Sequence, residues 1–276
     1  MKKAKLKKPL ARTIHRKRKE IGVVYTPLPS DQLVESVIHQ QEVAPQRNRT
    51  KQNLHVLDHG FVRLDDYMGD DLSVVNAARV SFNKRNEELQ EGDEKLINYL
   101  LKNRHGTPFE HNAFKFHVRL PLFVAREWVR HRIGSFNEVS LRYTKIDPEF
   151  YIPEMSDVRV RVGKPGHYTY EQASPSVAEN FTYHLHEQAE ESKFQYESAL
   201  TEGIAPELAR LHLTVNVYTE WYWTVNARAL MNFLSLRNAE AAQFEIRCYA
   251  RAVEHAWSAI MPLTSKAFRD NERQAP

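Results

Sequence analysis

Phe114, Phe116, Val118 and Leu120 alternate with Lys115, His117 and Arg119. Successive side chains of a strand point to opposite faces, so Ala113 to Leu120 is expected to be a half-buried strand. One of its faces is apolar and the other is basic. Pro121 follows, and a proline is tolerated in the first turn of a helix, where its missing N–H has no partner anyway. Phe123, Val124, Trp128 and Val129 then recur at helical spacing into Arg130. In that helix Arg126, Glu127 and Arg130 share a face through their three- and four-residue offsets.

Other elements follow from the same two periods. His55 to Asp65 alternates and is expected to be a strand. Asp71-Leu72-Ser73 supplies N-cap residues for a helix carrying Val74, Val75, Ala77, Ala78 and Val80. A second helix fits Asp93 to Asn103, and Gly106-Thr107-Pro108 breaks the chain. Tyr143 to Ile152 reads as a strand or extended segment ending at Pro153, and 154–174 as a polar loop or lid. Pro175 to Thr201 is a long amphipathic helix, and Pro206 starts a short one through Leu208 and Leu211. Thr214 to Thr224, rich in Val, Tyr and Trp, reads as a strand or an aromatic helix edge. Asn226 to Leu236 is a helix, and Ala242 to Ala259 is the last long one. Strands and helices mix without a regular βαβ rhythm, internal repeat, Gly-rich phosphate loop or GxGxxG turn. That pattern argues against the usual nucleotide folds.

Charge divides the chain. Residues 1–54 carry +9 of a net charge of +4, which leaves −5 for the body. This leader has prolines and a polar end but no sustained periodicity. A short helix fits Ser30 to Gln41, and the rest is expected to be a solvated extension. Contact between residues 1–54 and nucleic acid is the sharper reading of its lysines. It has no apolar stretch of the kind a secretory signal needs, and no run in the chain approaches the roughly 20 apolar residues of a spanning helix. Cys248 is the sole cysteine, so no intrachain disulfide can form. A cytoplasmic location, with no membrane partner, is the expectation.

The run Arg130-His131-Arg132-Ile133-Gly134-Ser135-Phe136-Asn137-Glu138-Val139-Ser140-Leu141-Arg142-Tyr143 is crowded with donors beside apolar sequence. Guanidinium forks match phosphate oxygens two at a time, so the run reads as an anion site. Arg126, Arg210, Arg228 and Arg237 also lie in or beside apolar segments. Glu127, Glu138, Glu207 and Glu245 are candidate internal partners for these arginines. His105 to His111 holds two histidines and a glutamate at a turn but fits no standard zinc spacing, so no metal is expected there. Cys248 lies in a predicted helix without a neighbouring base and reads as a small buried apolar group. Trp221, Tyr222 and Trp223 read as aromatic core before they read as a stacking platform.

The run resembles the signature RHRxxSxNxxSxRY of the flavin-dependent thymidylate synthases, and every fixed position is met. "AARVSF" (Ala77 to Phe82), "TPFEH" (Thr107 to His111), "WTVNARALMNFLSLR" (Trp223 to Arg237) and "AQFEI" (Ala242 to Ile246) are similar to further blocks in the same order. The resemblance implies residues 55–276 as a catalytic domain of α+β fold: a mixed or antiparallel sheet packed with long helices, working as a homotetramer with active sites shared between subunits. It implies that dUMP becomes dTMP, with 5,10-methylenetetrahydrofolate giving the carbon and FAD, reduced by NADPH, the hydride. By position it implies Arg237 as the group that favours ionisation of the uracil. It implies dUMP contacts at Glu127, Arg130, Glu138, Ser140, Arg142, Arg210 and Arg237. FAD contacts are implied at His105, Thr107, Arg130, His131, Arg132, Glu138, Asn226, Arg228 and Asn232. No cysteine attack is implied, and Ser140 is read as a positioning hydroxyl.

Two positions depart from the pattern. The family usually has glutamine where Glu127 stands, and a carboxylate there needs neutralising, with Arg126 or Arg130 as expected partners. The family commonly has histidine at Ala241, which removes a group expected against the flavin. The rival readings are a nucleotide- and flavin-binding homologue that has lost turnover, and a nucleic-acid-binding protein acting through residues 1–54.

Overall fold

The computed structural model describes residues 51–164 and 167–276. The leader, apart from its last few residues, and the helix expected at Ser30 to Gln41 lie outside the described residues. The strands are β1 (Leu54–Val56), β2 (Gly60–Met68), β3 (Ala113–Pro121), β4 (Ser135–Glu138), β5 (Arg159–Lys164), β6 (His167–Gln172) and β7 (Tyr218–Val225). The helices are α1 (Asp71–Arg79), α2 (Asp93–Lys102), α3 (Leu122–Trp128), α4 (Pro175–Thr201), α5 (Pro206–Ala209), α6 (Ala227–Arg237), α7 (Phe244–Ser258) and α8 (Pro262–Asp270).

The alternation at Phe114 to Leu120 builds the centre. β3 lies in the middle of a five-stranded sheet ordered β1-β2-β3-β7-β4, and every pairing is antiparallel rather than mixed. Cross-strand partners share a face, so Val62, Val118 and Trp221 line up toward the core, as do Leu64, Phe116, Trp223 and Phe136. α3, α6 and α7 cover that face. Trp128 stacks on Phe233 at 4.6 Å between ring centroids and meets Trp223 edge-on at 5.1 Å. Trp221 and Trp223 are buried, which settles their role as core, while Tyr222 faces the other way. On that opposite face the His117 ring lies between Arg63, 2.6 Å from Nδ1, and Glu220, 2.5 Å from Nε2. The ring stacks on Tyr222 at 4.5 Å.

α3 is shorter than its spacing suggests. Pro121 ends β3 and caps the helix rather than sitting inside its first turn. The first N–H groups of the helix, on Leu122 and Phe123, donate outward to the carbonyls of Val217 and Val215 at 2.9 Å each. The helix stops at Trp128, so Arg130 does not share its face with Arg126 and Glu127. The segment 143–152 is not a strand; its one ladder contact is the bridge Phe150–Val217. Residues 154–174 are not simply a loop either. They contain the β5–β6 hairpin, tied to α7 by Arg159, which bonds the Glu245 carboxylate at 2.6 Å and lies 4.7 Å from the Phe244 ring centroid.

The loop between β1 and β2 returns at Gly60, where nothing larger fits. A Cβ there would lie 1.9 Å from the Tyr249 hydroxyl, 2.6 Å from the Val56 carbonyl oxygen and 2.9 Å from that of Arg119. The Tyr249 hydroxyl already donates to Arg119 O at 2.8 Å, so neither it nor the two backbone oxygens can retreat cheaply. Gly60→Ala is expected to lower stability by about 1–3 kcal/mol or more through overpacking. Denaturant unfolding should show this as a lower midpoint at unchanged slope; an unchanged midpoint would mean the loop yields.

Candidate active site

α6 ends at Arg237, and α3 runs past it with Glu127 in its last turn. The Arg237 guanidinium donates through all three nitrogens: Nε to His131 Nε2 at 3.0 Å, one terminal nitrogen to Glu127 Oε2 at 3.2 Å, the other to the Glu127 carbonyl at 3.1 Å. The partner of Glu127 is therefore Arg237, not Arg126 or Arg130. Burial raises the Glu127 pKa, Arg237 opposes that rise, and nearby Glu245 adds to it. Burial, and then Arg237, push the His131 pKa down to about 4. The imidazole is thus neutral at neutral pH, and its Nε2 is free to accept because the proton sits on Nδ1. Phe233 meets the same ring edge-on at 5.1 Å and fixes its plane.

A second group forms around Glu207, at the start of α5. Arg142 Nε donates to its carboxylate and Arg210 Nε to its backbone carbonyl, each at 3.2 Å. The Ser140 hydroxyl accepts from the Arg142 N–H at 3.3 Å and so shapes the turn that carries the arginine. Both guanidinium groups are exposed, and both are held by Glu207 although their residues are 68 positions apart in sequence. Glu207 stands out in the sequence only as one of four acidic candidates; its place between the two arginines does not.

A third group lies at the start of α6. Asn226 caps the helix by accepting from Ala229 N at 2.9 Å. Arg228 and Asn232, four residues apart, share the exposed face of α6. Arg228 pairs with Glu110 at 2.5 Å. It packs over Gly106, where a Cβ would come within 2.5 Å of the guanidinium. That contact draws Thr107 and His105 to the same corner, and His105 stacks on Tyr99 at 5.9 Å. Nothing in the local sequence marks Glu110 as the Arg228 partner. Glu138 stands apart on β4 and accepts from the Thr219 hydroxyl at 2.5 Å.

Among the described residues no hydrogen bond or ion pair joins these three groups. Arg130 and Arg132 are exposed and make no side-chain hydrogen bond or ion pair there. Unpaired guanidinium groups match diphosphate oxygens, so Arg130 and Arg132 suit the phosphates of a dinucleotide cofactor, whereas Arg228 is engaged by Glu110 and the start of α6 is capped by Asn226 and Asn112. Cys248 is buried, and burial pushes its thiol up to about 12, which leaves it no nucleophilic role. Among the described residues no helix is long and apolar enough to cross a membrane.

The family model described as thymidylate synthase complementing protein matches residues 63–263. The flavin-dependent thymidylate synthase of Gluconobacter oxydans (strain 621H) is 44% identical over 231 residues, covering 83% of this chain and 76% of that protein. The flavin-dependent thymidylate synthase of Thermosipho africanus (strain TCF52B) is 46% identical over 213 residues, covering 77% of this chain and 92% of that protein. Among solved structures, the UMP/dUMP methylase PolB from Streptomyces cacaoi bound with 5-Br dUMP superposes with a TM-score of 0.74 at 40% identity, covering 80% of this chain and all of that one. The same protein bound with 5-Br UMP gives a TM-score of 0.72.

Proposed function

Because this chain belongs to the thymidylate synthase complementing protein family, the flavin-dependent thymidylate synthases, which are methyltransferases, we propose that it methylates dUMP to dTMP with 5,10-methylenetetrahydrofolate, FAD and NADPH. The observation that carries the reading is the Arg237 guanidinium, held in place by Glu127 and His131 with donors to spare. A guanidinium stays charged at every working pH, so it stabilises negative charge that develops on a uracil ring. Arg142 and Arg210 supply the charge for the nucleotide phosphate, and Ser140 sets the angle of Arg142. Glu127, Arg130 and Glu138 complete the nucleotide set. His105, Thr107, Arg130, His131, Arg132, Glu138, Asn226, Arg228 and Asn232 would hold the flavin.

When bound, the flavin supplies the hydride that completes the methyl group. The chain's own share is binding and orientation. No side chain attacks the pyrimidine, since Cys248 is buried and Ser140 has no base arranged to activate it. Among the described residues no hydrogen bond or ion pair joins the three groups of site residues, which suits a site completed by other copies in a homotetramer. The catalytic domain is taken to run over 55–276, with 1–54 appended.

The likeness to a UMP/dUMP methylase supports a second reading, in which uridylate is also accepted. Incubating the protein with folate donor, FAD, NADPH and either nucleotide, and weighing the products, separates the two. The expected result is a methylated deoxyribonucleotide, formed well ahead of any methylated ribonucleotide. Faster methylation of uridylate would reverse the assignment of substrate.

A further inference from the structure

A guanidinium has five N–H donors, and three of those on Arg237 are used inside the chain. One N–H remains on each terminal nitrogen. The three internal acceptors differ in charge: an imidazole nitrogen, a backbone carbonyl and a carboxylate. The first two fix the orientation of the group without changing its net charge. The carboxylate also orients it, and in addition cancels part of the field that Arg237 directs at a ligand.

Glu127 is well placed to have that effect. It and Arg237 are both partly buried, 28% and 22% exposed, so solvent screens the pair less than a surface pair. Among the described residues, Arg237 is its sole side-chain partner. The other carboxylate that acts on it, Glu245 on α7, is tied up by Arg159 at 2.6 Å, Gln243 at 2.8 Å and Tyr151 at 3.3 Å. The groups that face Glu127 are thus Arg237 from α6 and Glu245 from α7, with His131 sharing the guanidinium. The raised pKa of Glu127 agrees with a carboxylate held where water is scarce.

We propose that Glu127 is a positioning residue that also tunes the ionisation of the bound pyrimidine: its carboxylate holds the Arg237 fork in register and opposes loss of the N3 proton from the ring. The step at issue is simple. The N3–H bond breaks, its electron pair stays on the ring, and the proton leaves to solvent. Arg237 favours the resulting anion and Glu127 disfavours it, since both act on the same charge. The inference rests on the reading that a uracil nucleotide meets Arg237.

Glu127→Gln isolates the charge. The amide oxygen still accepts from the Arg237 terminal nitrogen, and the side-chain volume is unchanged, so orientation and folding are preserved. The probe is 5-fluorodeoxyuridylate bound to the full-length, flavin-loaded protein. Its fluorine resonance moves when N3 loses a proton, and the shift is read against pH. The variant should ionise the bound ring at a pH lower by roughly one unit or more, the lower end of what a neighbouring unit charge does to a titrating group. A purely structural role would change affinity and leave that midpoint alone. A midpoint equal to or above that of the wild type overturns the role given to Glu127. Failure of the wild type to bind the fluoronucleotide overturns the substrate reading instead, and the inference falls with it.

Discussion

Arg237→Ala is expected to lower kcat by about 10²–10³-fold, the loss seen when one donor to a developing negative charge is removed from a site shielded from water. The loss in kcat/KM should be larger still. Removing the guanidinium also leaves the half-buried Glu127 carboxylate without its partner. His131 would lose the donor to its Nε2 but keep its packing against Phe233, so the fold itself should survive. A far-ultraviolet spectrum unchanged from wild type, together with steady-state rates, checks both halves. Wild-type kcat in a folded variant would remove Arg237 from the chemistry.

The second large effect concerns the phosphate. Arg142 and Glu207 are both about half exposed, so their pairing is worth little and is easily given up to a nucleotide dianion. Arg210 is held beside the same glutamate by its bond to the Glu207 carbonyl. Hydrogen bonds to charged groups are worth about 1.5–3 kcal/mol each. Arg142→Ala or Arg210→Ala should therefore weaken dUMP by about 10–100-fold. Arg142→Ala should be the worse of the two, because it leaves Glu207 unpaired beside the phosphate. Calorimetry with dUMP and with deoxyuridine gives a sharp check. The variants should differ from wild type for the nucleotide and match it for the nucleoside. An equal loss for both ligands would show that the arginines act on the base or on folding.

What the sequence discloses and what it hides divide along contact distance. α4 is legible in its extent, since Pro175 suits the first turn of a helix and no proline or glycine interrupts the chain before Thr201, but its face is not: Phe181 is exposed while Thr182 and Ser192 are buried. β3 is legible because one face of it is entirely apolar. β4 is not: Ser135, Asn137 and Glu138 are polar, the lone Phe136 sets no period, and the segment becomes a strand only because β7, far along the chain, offers it an edge. The β5–β6 hairpin does carry a short period-two signal, Val160 and Val162 between arginines and then Tyr168 and Tyr170, but the surrounding run is polar and Val160, Tyr168 and Tyr170 stay exposed, so no core face announces it. It is held by its own register and by cationic side chains over rings, such as Arg161 at 4.3 Å from the Tyr168 centroid. α8 is missed because two of its buried residues, Thr264 and Ser265, are polar; Thr264 bonds Asp71 from α1 through both its N–H and its hydroxyl. The site divides in the same way. The motif places Arg237 and Glu127 among candidate residues, but their contact spans 110 positions and nothing local announces it. The choice of Arg126 or Arg130 as the Glu127 partner followed sequence proximity, which the end of α3 at Trp128 defeats.

The most direct measurement of the central claim is an omission assay on the purified protein. Deoxyuridylate is incubated with methylenetetrahydrofolate, FAD and NADPH, then with each of the three left out in turn. Thymidylate is expected in the complete mixture, with a fall to background when the folate, the flavin (after it has been stripped from the protein) or NADPH is withheld. Thymidylate formed without flavin, or none formed in the complete mixture by folded protein, would contradict it.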